Sequence, residues 1–143
     1  MRLAGVVVLS LAFLVEPRAA GAAEVVPEPE AAKAGAVLYR THCARCHGES
    51  GRGDGKAAAG LEYAPADLTR ISQRHKGKFP FDRVVQIIDG RRPVKGHVRS
   101  TMPAWGDALL SAREGYDKDK VKEQIRRLAH YLASIQEPPP SAP

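Results

Sequence analysis

The chain has 143 residues, 22 Lys and Arg against 16 Asp and Glu, and a net charge of +6, a size with room for one domain. No basic run carries interleaved aromatic residues, which excludes nucleic acid as a partner. A basic balance suits solubility, or attraction to an acidic protein face.

In chain order, Met1-Arg2-Leu3 is a short positive start, and residues 4–15 are apolar apart from Ser10. Ala20-Gly21-Ala22 and Gly21-Ala22-Ala23 both fit a small-residue cleavage site. Together these predict a secretory signal peptide over 1–22 and an exported protein, in the bacterial periplasm. An uncleaved anchor is the alternative, although the apolar run falls short of the about 20 residues a spanning helix needs. Nothing after it is apolar enough to enter a membrane. Residues 23–30, with Pro27 and Pro29, read as a flexible leader, 31–136 as the folded domain, and 137–143 as a proline-rich tail.

A first helix is expected over 29–41, with Pro29 in the first helical position and Ala31, Gly35, Leu38 and Tyr39 towards one face. Gly35 lacks a side chain and lets another helix cross close by. A middle helix is expected over 81–89, entered at Pro80 and ended by Gly90, with Phe81, Val84, Val85 and Ile88 apolar. In the last, over 118–136, Val121, Ile125, Leu128, Leu132 and Ile135 form a helical stripe. Asp117 caps its start, and Leu128 and Tyr131 are the natural partners of Gly35 and Tyr39. No run alternates over strand length, so the class is all-α with long loops.

Both cysteines of the chain lie in Cys43-Ala44-Arg45-Cys46-His47. This C-x-x-C-H pattern is the attachment motif of c-type haem. Two thiols at that spacing on a turn of helix can each form a thioether to one haem vinyl group, and the histidine that follows lies beneath the iron, where neutral imidazole is a good axial ligand. The competing readings fit less well. A thioredoxin-like pair opens a helix after a strand, whereas the residues upstream are helical. Structural zinc takes four ligands, and a plain disulfide leaves His47 unexplained.

For the second axial position the candidate is Met102, in Thr101-Met102-Pro103-Ala104-Trp105-Gly106, a Pro/Gly-flanked segment that reads as loop. A lone methionine is more often core filler, but Met102 stands far enough downstream for the chain to wrap the haem. His97 is the main rival; His42, His75 and His130 read as less suited, His130 because its helix packs elsewhere. About 120 residues bury only a modest core, and haem adds an apolar body to pack around.

With these residues in place, the sequence resembles a class I, mono-haem c-type cytochrome of the small bacterial periplasmic type over nearly all of residues 31–136. Gly35 and Tyr39 precede the motif at the family's spacing, and Gly48, Gly51, Gly53, Asp54 and Gly55 resemble its glycine-rich loop. Leu128 and Tyr131 match its last helix, and Met102-Pro103 its methionine loop. The resemblance implies the cytochrome c fold, three to five helices around one covalently bound haem c per chain. It implies that Pro65 offers its carbonyl to the histidine ligand, a bond that fixes the ring and raises its basicity, and that Trp105 packs near the haem. Two departures stand out. Ala66 lengthens the step from the proline to Leu68 by one residue, and residues 91–100 are unusually basic and include His97.

The expected function is therefore electron transfer with His47 and Met102 as iron ligands, and the chain is a carrier rather than an enzyme. Its expected partners are redox proteins, a membrane oxidase, reductase or dehydrogenase with an acidic docking face, approached by Arg91, Arg92, Lys95 and Arg99; a solvated loop is the plainer reading of that cluster. The chain is expected to be a monomer. An open sixth site, as in haem sensors and peroxidases, is the rival reading.

Overall fold

The computed structural model describes residues 26–92, 102–111 and 117–138. The expected signal peptide, residues 23–25 of the leader, Lys95, His97, Arg99 and most of the tail lie outside them. Among the described residues the fold is all-helical: α1 (Pro29–His42), α2 (Ala44–His47), α3 (Ile71–Arg74), α4 (Phe81–Asp89), α5 (Trp105–Ser111) and α6 (Lys118–Ser134). Two of these, α2 and α3, are single turns of four residues, which accounts for the excess over the expected three to five. Short 3-10 turns lie at Ala58–Gly60 and Leu68–Arg70.

The frame is the crossing of α1 and α6. A methyl group on Gly35 would collide with the Arg127 carbonyl oxygen and stand 2.9 Å from Tyr131 Cβ, so the two helix backbones touch where no other residue fits. One turn on, Tyr39 is fully buried with its ring 5.0 Å from that of Tyr131. Its hydroxyl donates to the Gly48 carbonyl at 2.7 Å, tying the crossing to the turn after α2.

Helix α6 buries Val121, Ile125, Leu128, Ala129 and Leu132, the expected stripe, with Ile135 half-buried beyond the helix end. Each fully buried Val, Leu or Ile side chain contributes roughly 1.5–3 kcal/mol relative to exposure. Asp117 accepts from the Asp119 and Lys120 amides, which satisfies the first turn. Helix α4 adds Phe81, Val84 and Ile88. His130 is buried on the far side of α6: its Nδ1 accepts from the Glu28 amide at 3.2 Å, and its ring lies 4.7 Å from Phe81. It packs elsewhere, as the helical pattern suggested.

Candidate functional site

The short helix α2 carries the attachment motif. It leaves α1 through Cys43, whose backbone still donates to the Tyr39 carbonyl, and the loop beyond folds back on it. The Gly53 amide donates to the His47 carbonyl at 2.8 Å and the Ala57 amide to the Arg45 carbonyl at 2.9 Å. Gly53 has φ +85°, and a Cβ there would strike the Pro65 carbonyl. Glycine is needed because this left-handed turn presses directly on the backbone of residues 65–66.

The pressed segment meets His47. The buried His47 ring donates from Nδ1 to the Ala66 carbonyl oxygen at 3.0 Å. The acceptor is thus one residue beyond Pro65, the position the resemblance implied. The additional residue before Leu68 moves the carbonyl on by one, while Pro65 lines the cavity and faces Gly53. A carbonyl can only accept, so the proton is on Nδ1 and Nε2 presents its lone pair.

A cavity of about 420 Å³ opens beside these residues, lined by Cys43, Cys46 and His47 together with Met102, Pro65 and Trp105. Elements far apart in sequence supply its apolar wall: Ile71 of α3, Val84 and Ile88 of α4, Leu128 and Leu132 of α6. Trp105, at the start of α5, is half-buried with its ring 4.9 Å from His42. Among the sequence-predicted site residues, every one lines this single cavity. His42 and His75 line it as well, and His75 faces the Ile71 carbonyl through Nδ1 at 3.0 Å. Sequence reading missed Arg74 and Arg83, which also line it; one opens a run of basic residues and the other follows Asp82 on a helix, and only the fold brings them to one cavity.

Burial, with the nearby Cys46, pushes the Cys43 thiol up to about 12. Dithiol exchange needs a thiolate of depressed pKa, so this environment suits a thiol that ends in a neutral thioether. The donor set fits haem c: two thiols and a tautomer-fixed imidazole on one cavity wall, a thioether sulfur on the same lining, apolar residues for the macrocycle, and guanidinium groups for its carboxylates. Among the described residues no cluster of three or more His, Cys, Asp or Glu could hold a bare metal ion.

A helical frame built on an α1–α6 crossing, enclosing a cavity beside C-x-x-C-H, defines a class I c-type cytochrome. The chain matches the family described as cytochrome C oxidase, cbb3-type, subunit III over residues 30–132 and belongs to it. No curated protein and no solved structure matches it. Membership brings covalently bound haem c and haem-based electron transfer.

Proposed function

We propose that the chain is an exported electron carrier in which Cys43 and Cys46 form the thioethers, His47 and Met102 ligate the iron, and a membrane oxidase receives the electron. The convergence of Cys43, Cys46, His47 and Met102 on one cavity carries this reading. When bound, the haem supplies one-electron cycling between ferric and ferrous iron. The chain's own residues do the rest. Ala66 holds the His47 ring by Nδ1 and raises the basicity of Nε2. Met102, opposite in character, favours the ferrous state. The apolar wall from α3, α4 and α6 keeps water from the centre, and Trp105, its ring tilted against that of His42, lines the same cavity. Arg74 and Arg83 line the same cavity and would offer charge to the haem carboxylates, leaving His47 and Met102 to hold the iron.

The family's description names an oxidase subunit, which supports an oxidase as acceptor. Among the described residues no helix is long and apolar enough to cross a membrane. We read residues 1–22 as a signal peptide, 23–30 as a leader and 31–136 as the folded domain of a chain that meets its oxidase at the membrane surface. Exposed Arg91 and Arg92 follow α4 and continue in sequence into the basic segment, which suits an acidic docking face. The test is reoxidation of the ferrous protein by oxidase-containing membranes. Rates that fall steeply as salt rises support the proposal. Membranes that leave the protein reduced refute the acceptor, and salt-independent rates refute basic docking.

A further inference from the structure

The chain beyond α6 turns back across the loop that holds His47. Gln136 accepts from the Ser72 amide through Oε1 at 2.8 Å, and its Nε2 donates to the Leu68 carbonyl at 2.8 Å and the Leu132 carbonyl at 2.7 Å. The Glu137 amide donates to the Thr69 carbonyl at 2.8 Å, and Gln73 Nε2 donates to the Pro138 carbonyl at 3.0 Å. Residues 136–138 thereby grip residues 68–73 by directional bonds. The Glu137 carboxylate adds ion pairs with Arg52 and Arg70, but both arginine side chains are about half exposed, and such pairs are screened by solvent and contribute little.

The gripped segment starts next to the His47 acceptor. Ala66, whose carbonyl takes the His47 Nδ1 proton, lies two residues before Leu68. Between them Asp67 folds its carboxylate onto the Thr69 amide and hydroxyl at 2.9 and 2.6 Å, and the Leu68 amide donates to the Gly51 carbonyl. Hydrogen bonds therefore run from the last turn of α6 through Gln136 to Leu68, and only Asp67 separates Leu68 along the backbone from the residue whose carbonyl orients His47.

We propose that Gln136 is a positioning residue for the iron centre: by clamping residues 68–72 to the end of α6, it fixes the Ala66 carbonyl against His47 and so lowers the reduction potential. The proposal rests on His47 being an iron ligand. A hydrogen bond accepted from Nδ1–H makes the imidazole more basic, and a more electron-donating ligand favours ferric iron. Releasing the clamp weakens that bond, so the ferrous state gains. Only a side-chain amide donates and accepts as this position requires.

The test compares haem-loaded wild type with Gln136→Leu, Gln136→Glu and, as a control, Glu123→Gln, whose carboxylate pairs with Arg127 on the exposed side of α6. The readouts are the reduction potential and the exchange of the haem-shifted His47 Nδ1 proton in the ferrous protein. Gln136→Leu is expected to shift the ferric-to-ferrous ratio roughly threefold towards ferrous at fixed potential, about 30 mV at 59 mV per tenfold, with several-fold faster exchange. Gln136→Glu keeps the acceptor and loses the donor; its added negative charge itself favours ferric iron, so it is read by the several-fold faster Nδ1 exchange, and it serves should the leucine variant fail to fold. The control leaves both readouts unchanged. An unaltered potential and exchange in the Gln136 variants overturns the clamp alone. A wild-type protein without a haem-shifted His47 resonance overturns the ligand assignment, and the clamp with it.

Discussion

Replacing Gly35 with alanine puts a methyl group into the α1–α6 crossing that supports both the motif helix and the cavity wall. Its carbon would lie 2.6 Å from the Arg127 carbonyl carbon and 2.9 Å from Tyr131 Cβ, where ordinary contact begins near 3.4 Å. The nearest obstacle is the Arg127 carbonyl oxygen, backbone that cannot rotate aside, so the helices must part by about 1 Å or more at the crossing. Overpacking of this kind costs roughly 3 kcal/mol, and the better helix propensity of alanine returns about 1 kcal/mol. The net loss of about 2 kcal/mol lowers the melting temperature by roughly 10 °C in a domain of this size. Thermal and guanidinium unfolding of the haem-loaded protein, followed by far-ultraviolet circular dichroism, gives the number. Gly60→Ala is the matched control, because nothing lies within 4 Å of a Cβ there. A Gly35→Ala protein as stable as wild type would refute the close crossing.

Tyr39→Phe removes the hydrogen bond to the Gly48 carbonyl at 2.7 Å. That oxygen keeps the Gly51 amide as a donor at 3.2 Å, so the expected loss is about 1 kcal/mol, the lower end for a buried bond. It is measured by guanidinium unfolding, and an unchanged midpoint contradicts it. For Asp67, burial pushes the carboxyl up, but hydrogen bonds from Thr69 and the charges of Arg70 and Arg52 outweigh burial and hold it below its ordinary value of 3.8. A depressed folded value means stability that is fully present above the ordinary value and lost as pH falls through the folded one. Acid titration of stability is expected to steepen below about pH 4 in wild type and to flatten there in Asp67→Asn; identical acid limbs in the two proteins contradict this.

What the sequence made legible was the part set by repeating patterns and by one specific motif. The middle helix occupies residues 81–89 as expected, because Pro80 and Gly90 punctuate it at both ends. The last helix closes at Ser134, two residues short of the expectation, where the Gln136 side-chain amide takes the Leu132 carbonyl that its backbone N–H would take in a longer helix, and also bonds Leu68 and Ser72. Periodicity could not show that exchange. Helix α5 was hidden inside a segment that reads as loop, with a glycine at its second position. Gly106 is accepted there because a Cβ would stand 2.8 Å from the Asp89 carbonyl oxygen, a contact set by α4. Met102 itself lies just before α5, outside any helix.

The site was legible wherever its residues are adjacent in the motif or rare in composition. Cys43, Cys46, His47 and Met102 needed no structure to be chosen, and their sharing one cavity is what the fold adds. Pro65 was chosen by resemblance, and the carbonyl that His47 reaches is that of Ala66. A single added residue shifts a backbone acceptor without altering any side-chain pattern. Arg74 and Arg83 carried no signal, because an arginine opening the basic run 74–78 and another on an exposed helix face look like ordinary surface charge.

The central claim is a closed iron centre held by His47 and Met102, and optical spectroscopy of the haem-loaded protein tests it most directly. The account predicts a far-red methionine-to-iron band in the ferric form that disappears in Met102→Ala, and a wild-type ferrous form that does not take up carbon monoxide. A wild-type spectrum without that band, with ready carbon monoxide binding, would contradict it and leave the sixth position open for sensing or catalysis.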